Sequence, residues 1–260
     1  MTTRHVLIAL AGATVVAGVV ACGSSTEPGA SSETVTTPPT STVTATTTSA
    51  APSPPVATPS ACTDLGGTVG PDQVCTVHTE TPNYTIDMSF PVTYPDQRAV
   101  TDVLTRQRDQ FVTTVEEPPV RDVAKALEIK PSTYRSGAPD AGTESLVLEE
   151  YVNVGGAHPE TYYDALTYDV GKKVPITFES LFKPGSDPVP VLDPIVEDAL
   201  KKQLPGAPID ANPIGAEMYR NFAVTDDAVI FFIGQGQWTI EAAGPQQVSV
   251  PRSELASILA

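Results

Sequence analysis

Histidine, cysteine and tryptophan are scarce in this chain, at three, three and one among 260 residues. With the first 22 residues set aside, only His78 and His158 remain, too few for a histidine-rich metal site. Carboxylate-held calcium has no motif here either, so no metal and no cofactor is expected. The chain has no Gly-x-Ser-x-Gly, which removes the usual nucleophile elbow of an α/β-hydrolase. It also has no glycine-rich phosphate loop before a Lys-Ser or Lys-Thr, and no His-Glu-x-x-His. Positive charge is short too: 15 Lys and Arg stand against 31 Asp and Glu, a net −16. That balance opposes nucleic acid and anionic phospholipid, favours cationic partners, and serves solubility in any case.

The apolar run from Val6 to Val20 is shorter than the ~20 residues a membrane-spanning helix needs. Behind Arg4, and closing on Val19-Val20-Ala21-Cys22, it reads as a lipoprotein signal peptide over residues 1–22, with lipidation at Cys22. The rival is an ordinary secretory signal with an incidental cysteine. On the first reading the mature protein sits on the outer face of the cell membrane, held by lipid alone. Residues 23–60 are a Ser/Thr/Pro/Ala tether whose charges are Glu27 and Glu33, with no aromatic residue. Such a segment cannot bury enough apolar area to offset chain entropy and is expected to be disordered. Pro38-Pro39 and Pro54-Pro55 stiffen it into a spacer.

Residues 61–260 form the folded domain, with 29 acidic and 14 basic residues. Cys62 and Cys75 flank a segment rich in glycine that also contains Pro71, so a disulfide in an oxidising compartment is the natural pairing. Tyr84, Ile86, Met88 and Phe90 alternate with polar residues as a half-buried strand does. A helix is predicted over 96–115, with Val100, Val103, Leu104, Phe111 and Val115 on one face. A polar, weakly patterned segment runs to about Pro131, and strands are expected at 132–136 and 145–154. In the second of these, Leu146, Leu148, Glu150 and Val152 share one face, so both faces are mixed. The Gly155-Gly156-Ala157-His158-Pro159-Glu160 loop then returns the chain into a tyrosine-rich strand over 161–170. A second helix is predicted over 190–204, a hairpin over 221–233, a last strand at 247–250 and a closing helical stretch at 252–259. The order is α+β: an antiparallel sheet built from hairpins with two main helices packed on it.

Four residues are candidates for ligand binding. His158 stands in a turn beside Glu160, where an imidazole with a carboxylate neighbour can act as a base, though a turn histidine more often caps backbone. Trp238 follows Gly234 and Gly236 and is either an exposed stacking platform for a sugar ring or a core-edge anchor. Tyr162 and Tyr163 are either a binding face or ordinary strand packing. No catalytic residue is assigned.

The stretch GGAHPETYYDALTYDVGKKVPITFESLF at 155–182 resembles a C-terminal domain shared by RsiV-type, lysozyme-sensing anti-sigma factors and secreted mycobacterial immunogenic proteins. Phe222-Ala223-Val224-Thr225-Asp226-Asp227, Ala243-Gly244-Pro245 and Val250-Pro251-Arg252-Ser253-Glu254-Leu255 follow in that family's order. The resemblance covers about residues 145–260 and implies an RsiV-like α+β domain in an extracytoplasmic setting. In the anti-sigma members this domain binds lysozyme. The cytoplasmic segment and transmembrane helix those members use to signal have no counterpart in this sequence.

The reading is therefore a lipid-anchored envelope binding module that engages a cell-wall polysaccharide or an extracellular protein such as lysozyme, and not nucleic acid. The alternatives are an envelope hydrolase acting on carboxylic esters through a non-standard site, and a structural envelope scaffold.

Overall fold

The computed structural model describes residues 61–116, 123–209 and 215–260. The expected signal peptide, Cys22 and the tether lie outside the described residues. One helical turn, α1 (Ala61–Asp64), precedes strands β1 (Thr68–Val69), β2 (Val74–Glu80) and β3 (Thr85–Pro91). Helix α2 (Gln97–Glu116) leads to the long strands β4 (Ala126–Ser136), β5 (Thr143–Asn153) and β6 (Glu160–Asp169), then to short β7 (Val174–Ile176). Helices α3 (Phe178–Leu181) and α4 (Val189–Gln203) follow. Strands β8 (Phe222–Val224), β9 (Ala228–Ile233) and β10 (Gln246–Pro251) and the turn of α5 (Arg252–Leu255) complete the domain.

The expected single antiparallel sheet is in fact two. One has seven strands in sequential order β1 to β7, and the other has three in the order β10-β9-β8. Every pairing is antiparallel except β3 with β4, which run parallel because α2 crosses over between them. Strand β4 begins at Ala126, within the segment read as unpatterned. Its apolar residues Leu127 and Ile129 are buried and alternate with Glu128 and Lys130, but the alternation spans only two apolar positions before Pro131, too short to read as a strand.

Burial on both faces explains the mixed patterning of β5. Leu146 and Leu148 join the core formed with Val100, Val103, Leu104 and Phe111 of α2. Val147, between them, packs the other way with Tyr163, Ala223 and Phe232, against the three-stranded sheet. In β9 the residues divide again: Phe232 faces the large sheet, while Val229, Phe231 and Ile233 face a second core with Leu192, Val196 and Leu200 of α4. A near-continuous apolar run, AVIFFI, is what a strand covered on both faces requires. The layers are thus α2, large sheet, small sheet and α4.

Local chemistry sets the ends. Asp96 accepts from the Ala99 backbone N–H at 3.0 Å and caps α2. Thr177 and Ser180 form a reciprocal capping box at α3. The Cys62–Cys75 disulfide closes α1 onto β2, with both cysteines fully buried. Gly67 lies against it so closely that an added Cβ would stand 2.5 Å from Cys75 Sγ and 2.9 Å from Cys62 Sγ.

Replacing both cysteines with alanine is expected to cost about 3 kcal/mol, the loop-closure value for a bridge of this span. Gly67→Ala, with the bridge intact, should cost about 1–3 kcal/mol through overpacking. Urea unfolding of the two variants reads both values.

Candidate functional site

The apolar stripe of α2 is broken at one place. Val100, Val103, Leu104, Phe111 and Val115 are buried, but the position that helical spacing would make apolar between them carries Gln107. The strands facing it are broken opposite. On β5 the series Leu146, Leu148 continues with Glu150, and on β6 Leu166 is preceded by Asp164. Cross-strand pairs share a face, so Leu148 with Asp164 and Glu150 with Tyr162 look toward α2. A polar group from each of three elements is therefore placed between helix and sheet.

Asp164 holds the group together. Its Oδ2 accepts from Arg106 Nη2 at 3.2 Å and from Gln107 Nε2 at 2.7 Å, so two residues of α2 are fastened to β6. Glu150 is 2% exposed and hydrogen-bonds to Asp164. Burial, then the charge and hydrogen bond of Asp164, push the Glu150 carboxyl from its ordinary 4.5 up to about 9, with Arg106 opposing. Glu150 is therefore a neutral acid at physiological pH. Asp164 already accepts from two α2 donors, so the Glu150 proton points to Asp164. Glu150 Oε1 is buried and accepts from no donor among the described residues.

Glu150 forms part of the wall of a cleft of about 440 Å³ between the C-terminal half of α2 and the β5–β6 strands. Gln107, Gln110, Phe111 and Thr114 line it from the helix, at the i, i+3, i+4, i+7 spacing of one helical face. Leu127, Val152 and Val154 supply apolar surface from the sheet, and Glu160 and Tyr162 stand at the β6 end. The Tyr162 hydroxyl donates to Glu160 Oε2 at 2.5 Å. Burial, that hydrogen bond and the neighbouring Glu160 and Glu241 carboxylates raise the Tyr162 phenol to about 12, so it stays protonated.

The four candidates from the sequence separate. Tyr162 belongs to the cleft. Tyr163, one residue on, also borders the cleft, but its ring packs on Phe232 at a separation of 5.3 Å between the two sheets. Trp238 is 2% exposed and meets Tyr219 edge-on at 5.6 Å in the α4 core, so it offers no ring face for stacking and is an anchor of that core. The apolar walls around Trp238 explain this: its loop folds inward over α4 instead of presenting the indole to solvent. His158 lies half exposed on the surface with Nε2 2.9 Å from Glu241 Oε2, a surface pair of about 0–1 kcal/mol. Sequence reasoning passed over Glu150 and Asp164, although a glutamate at the core-facing phase of an alternating strand was a visible signal. Among the described residues, no group of three or more His, Cys, Asp or Glu is arranged to hold a metal, and no helix is long and apolar enough to cross a membrane.

Comparison with known proteins sets this cleft in a family. The chain is 40% identical over 204 residues to the esterase Rv3036c of Mycobacterium tuberculosis, covering 78% of this chain and 90% of that protein. It is also 40% identical over 206 residues to the immunogenic protein MPT64 of the same organism, covering 76% and 88%. The chain belongs to the family of these two proteins. Residues 179–253 match the family described as protein of unknown function (DUF3298). A more distant match, 28% identical over 122 residues, is to the peptidoglycan-N-acetylmuramic acid deacetylase PdaC of Bacillus subtilis, covering 45% of this chain and 26% of that one.

The raised Glu150 carboxyl has a defined consequence for stability. Between pH 4.5 and about 9 the folded protein keeps a proton that the unfolded chain releases, so stability falls as pH rises through that window and levels off above it. The slope is at most about 1.4 kcal/mol per pH unit. Glu150→Gln keeps the donor to Asp164 and removes the titration. Its advantage over the wild type should be near zero at the acid end and grow to a few kcal/mol at pH 8, measured by urea unfolding across pH.

Proposed function

We propose that this protein is a lipid-anchored, extracytoplasmic module of the cell envelope that binds its ligand in the cleft beneath α2. The observation that carries the reading is the cleft itself, of ligand-binding size at about 440 Å³, with the buried Glu150 carboxyl in its wall where the strand pattern calls for an apolar residue. The Cys62–Cys75 disulfide supports the extracytoplasmic setting, because such bridges persist in oxidising compartments. The Val19-Val20-Ala21-Cys22 sequence supports the lipid anchor, with the tether holding the domain clear of the membrane. A cell-wall glycan or an extracellular protein such as lysozyme is the partner class, the acidic domain surface favouring a cationic protein.

A second reading, hydrolysis of a carboxylic ester, is favoured by one observation: the relative covered over 90% of its length is named an esterase. In that reading water attacks the ester carbonyl, the acyl C–O bond breaks, a neutral acid such as Glu150 protonates the departing alkoxide, and the proton shed by the attacking water restores that acid. No serine lines the cleft, and His158 pairs with Glu241 on the surface, so the cleft does not itself bring together a serine nucleophile, a histidine base and an orienting group.

Sedimentation of the purified protein with insoluble envelope material tests the first reading. Retention is expected to persist from about 0.15 to 0.5 M salt, where the Debye length shrinks well below 10 Å, and to fall at least tenfold in Glu150→Met. Retention that vanishes with salt, or is equal in the variant, overturns it. In parallel, p-nitrophenyl butyrate should show no turnover above buffer. Turnover that drops by about two orders of magnitude in Glu150→Gln and survives His158→Ala would instead establish the ester hydrolase.

A further inference from the structure

A second cleft, of about 500 Å³, opens at the far end of the β5–β6 ladder from the one beneath α2. There Thr143 stands opposite Asp169, whereas Val152 and Glu160, paired at the other end, border the first cleft. Roughly 30 Å of strand, at about 3.4 Å per residue, separates the two. The β4–β5 and β6–β7 turns form its rim and are fixed to each other, the Val170 N–H donating to the Gly142 carbonyl at 2.9 Å. Gly142 is packed so closely that an added Cβ would stand 2.0 Å from the Ser136 carbonyl oxygen. The wall is therefore a fixed one.

In that wall Arg252 has donors to spare. Its backbone N–H donates to the Asp227 carbonyl at 2.8 Å, and Nη1 donates to Ser136 Oγ at 3.0 Å and to the Thr225 carbonyl at 3.2 Å. Neutral acceptors from both sheets thus hold the guanidinium in place. Nε and Nη2 have no acceptor among the described residues. They are open to solvent as well, because the buried side-chain atoms left without a partner among those residues are Thr143 Oγ1 and Glu150 Oε1. The N–H bonds of Nε and Nη2 run parallel, which suits bidentate recognition of a carboxylate or phosphate. The neighbouring charges are engaged: Lys172 Nζ lies 3.1 Å from Asp169 Oδ2, and Asp226 Oδ1 accepts from the Gly137 N–H at 2.7 Å.

We infer that this cleft is a second ligand site and that it takes the carboxyl end of a short peptide, with the terminal carboxylate on the Nε and Nη2 donors of Arg252. It shares no lining residue with the cleft beneath α2, so the two readings stand or fall separately. Charge selects the anion. Asp169, Asp226 and the terminal carboxyl of Ala260 border the same space, so a dianion such as phosphate meets more repulsion there than a single carboxylate does. Hydrogen bonding selects the rest of the molecule. A peptide brings amide N–H groups for those acidic neighbours, which a fatty carboxylate lacks. Val174, Ile176 and Leu181 offer apolar surface to its side chains. The volume lies within the roughly 300–1,000 Å³ usual for small ligands, enough for a peptide end and not for a long segment.

Titration calorimetry of the full chain with four probes decides the matter: N-acetyl-Ala-Ala-Leu, its carboxyl-terminal amide, octanoate and inorganic phosphate. The peptide acid is expected to bind saturably at about 0.15 M salt, where screening suppresses long-range attraction, and the amide at least tenfold more weakly. Arg252→Lys keeps the charge but not the paired donors and should weaken the acid about tenfold. Ala141→Asp, at an exposed turn position in the rim, leaves the Arg252 contacts in place, adds a repelling charge and should weaken the acid at least threefold. If urea unfolding shows that Arg252→Lys does not fold, the difference between acid and amide and the effect of Ala141→Asp still decide. Equal binding of acid and amide, or no binding of the acid, overturns the inference. Peptide binding indifferent to both variants places the peptide elsewhere and overturns it too. Octanoate or phosphate that binds in an Arg252-dependent way while the peptide acid does not overturns the peptide assignment and leaves an anion site.

Discussion

The β5–β6 ladder is buried on both faces, and the arrangement of the rest of the domain answers that constraint. A strand covered by a helix on one side and a second sheet on the other must satisfy every polar group without water. The two sheets do this for each other. Thr167 Oγ1 donates to the Phe222 carbonyl at 2.9 Å, and Ser145 Oγ accepts from the Val224 N–H at 3.1 Å, so side chains of the large sheet serve backbone groups of β8. In return, Asn221 donates to the Tyr163 carbonyl and accepts from the Ala165 N–H, serving the backbone of β6. Each sheet has polar backbone that the other covers, which fixes their relative placement more specifically than apolar packing of Val147, Tyr163 and Phe232 alone would.

Against that level of satisfaction, Glu150 stands out. Buried Glu144 has Arg135 at 3.0 Å, and buried Ser145 and Thr167 have each other and β8. Glu150 has another carboxyl, Asp164, for its neighbour, and its Oε1 accepts from no donor. A leucine in its place would continue the series Leu146, Leu148 and pack on α2, so the glutamate is held against the local logic of the core. Departures of that kind concentrate where a protein has a ligand or a reaction to accommodate.

Much of the architecture was legible in the sequence because periodicity reports burial on one face. Helix α2 differs from its predicted span by one residue at each end, and α4, lying on one core, was equally plain. What escaped was whatever depends on two faces or on distant pairing. Strand β2 (VCTVHTE) reads as polar because only Cys75 and Val77 point inward. The parallel pairing of β3 with β4 joins residues 40 or so apart and leaves no local signature. The split of one expected sheet into two follows from residues such as Ile230 and Phe232, whose burial requires a second layer that no window of sequence contains. Among the site residues, Tyr162 was visible and Trp238 undecided between platform and anchor, since a glycine-flanked tryptophan looks the same in sequence whether its loop folds out to solvent or in over a helix.

The cleft is a product of tertiary structure in a stricter sense. Glu150 is neutral first because it is buried and then because Asp164 lies beside it, and Asp164 is fastened to α2 by Arg106 and Gln107. The helix that roofs the cleft thus also holds the neighbour of its buried acid. Remove Gln107 from the phase of the apolar stripe and the helix loses one of its two tethers to β6, the shorter one, with Arg106 left as the remaining donor to Asp164. That linkage explains why no short motif announces the site: its three parts come from residues 106–107, 150 and 164, and each is unremarkable until the helix lies across the sheet. It also places the chemistry of the cleft and the seating of α2 under the same hydrogen bonds, so a change in either is a change in both.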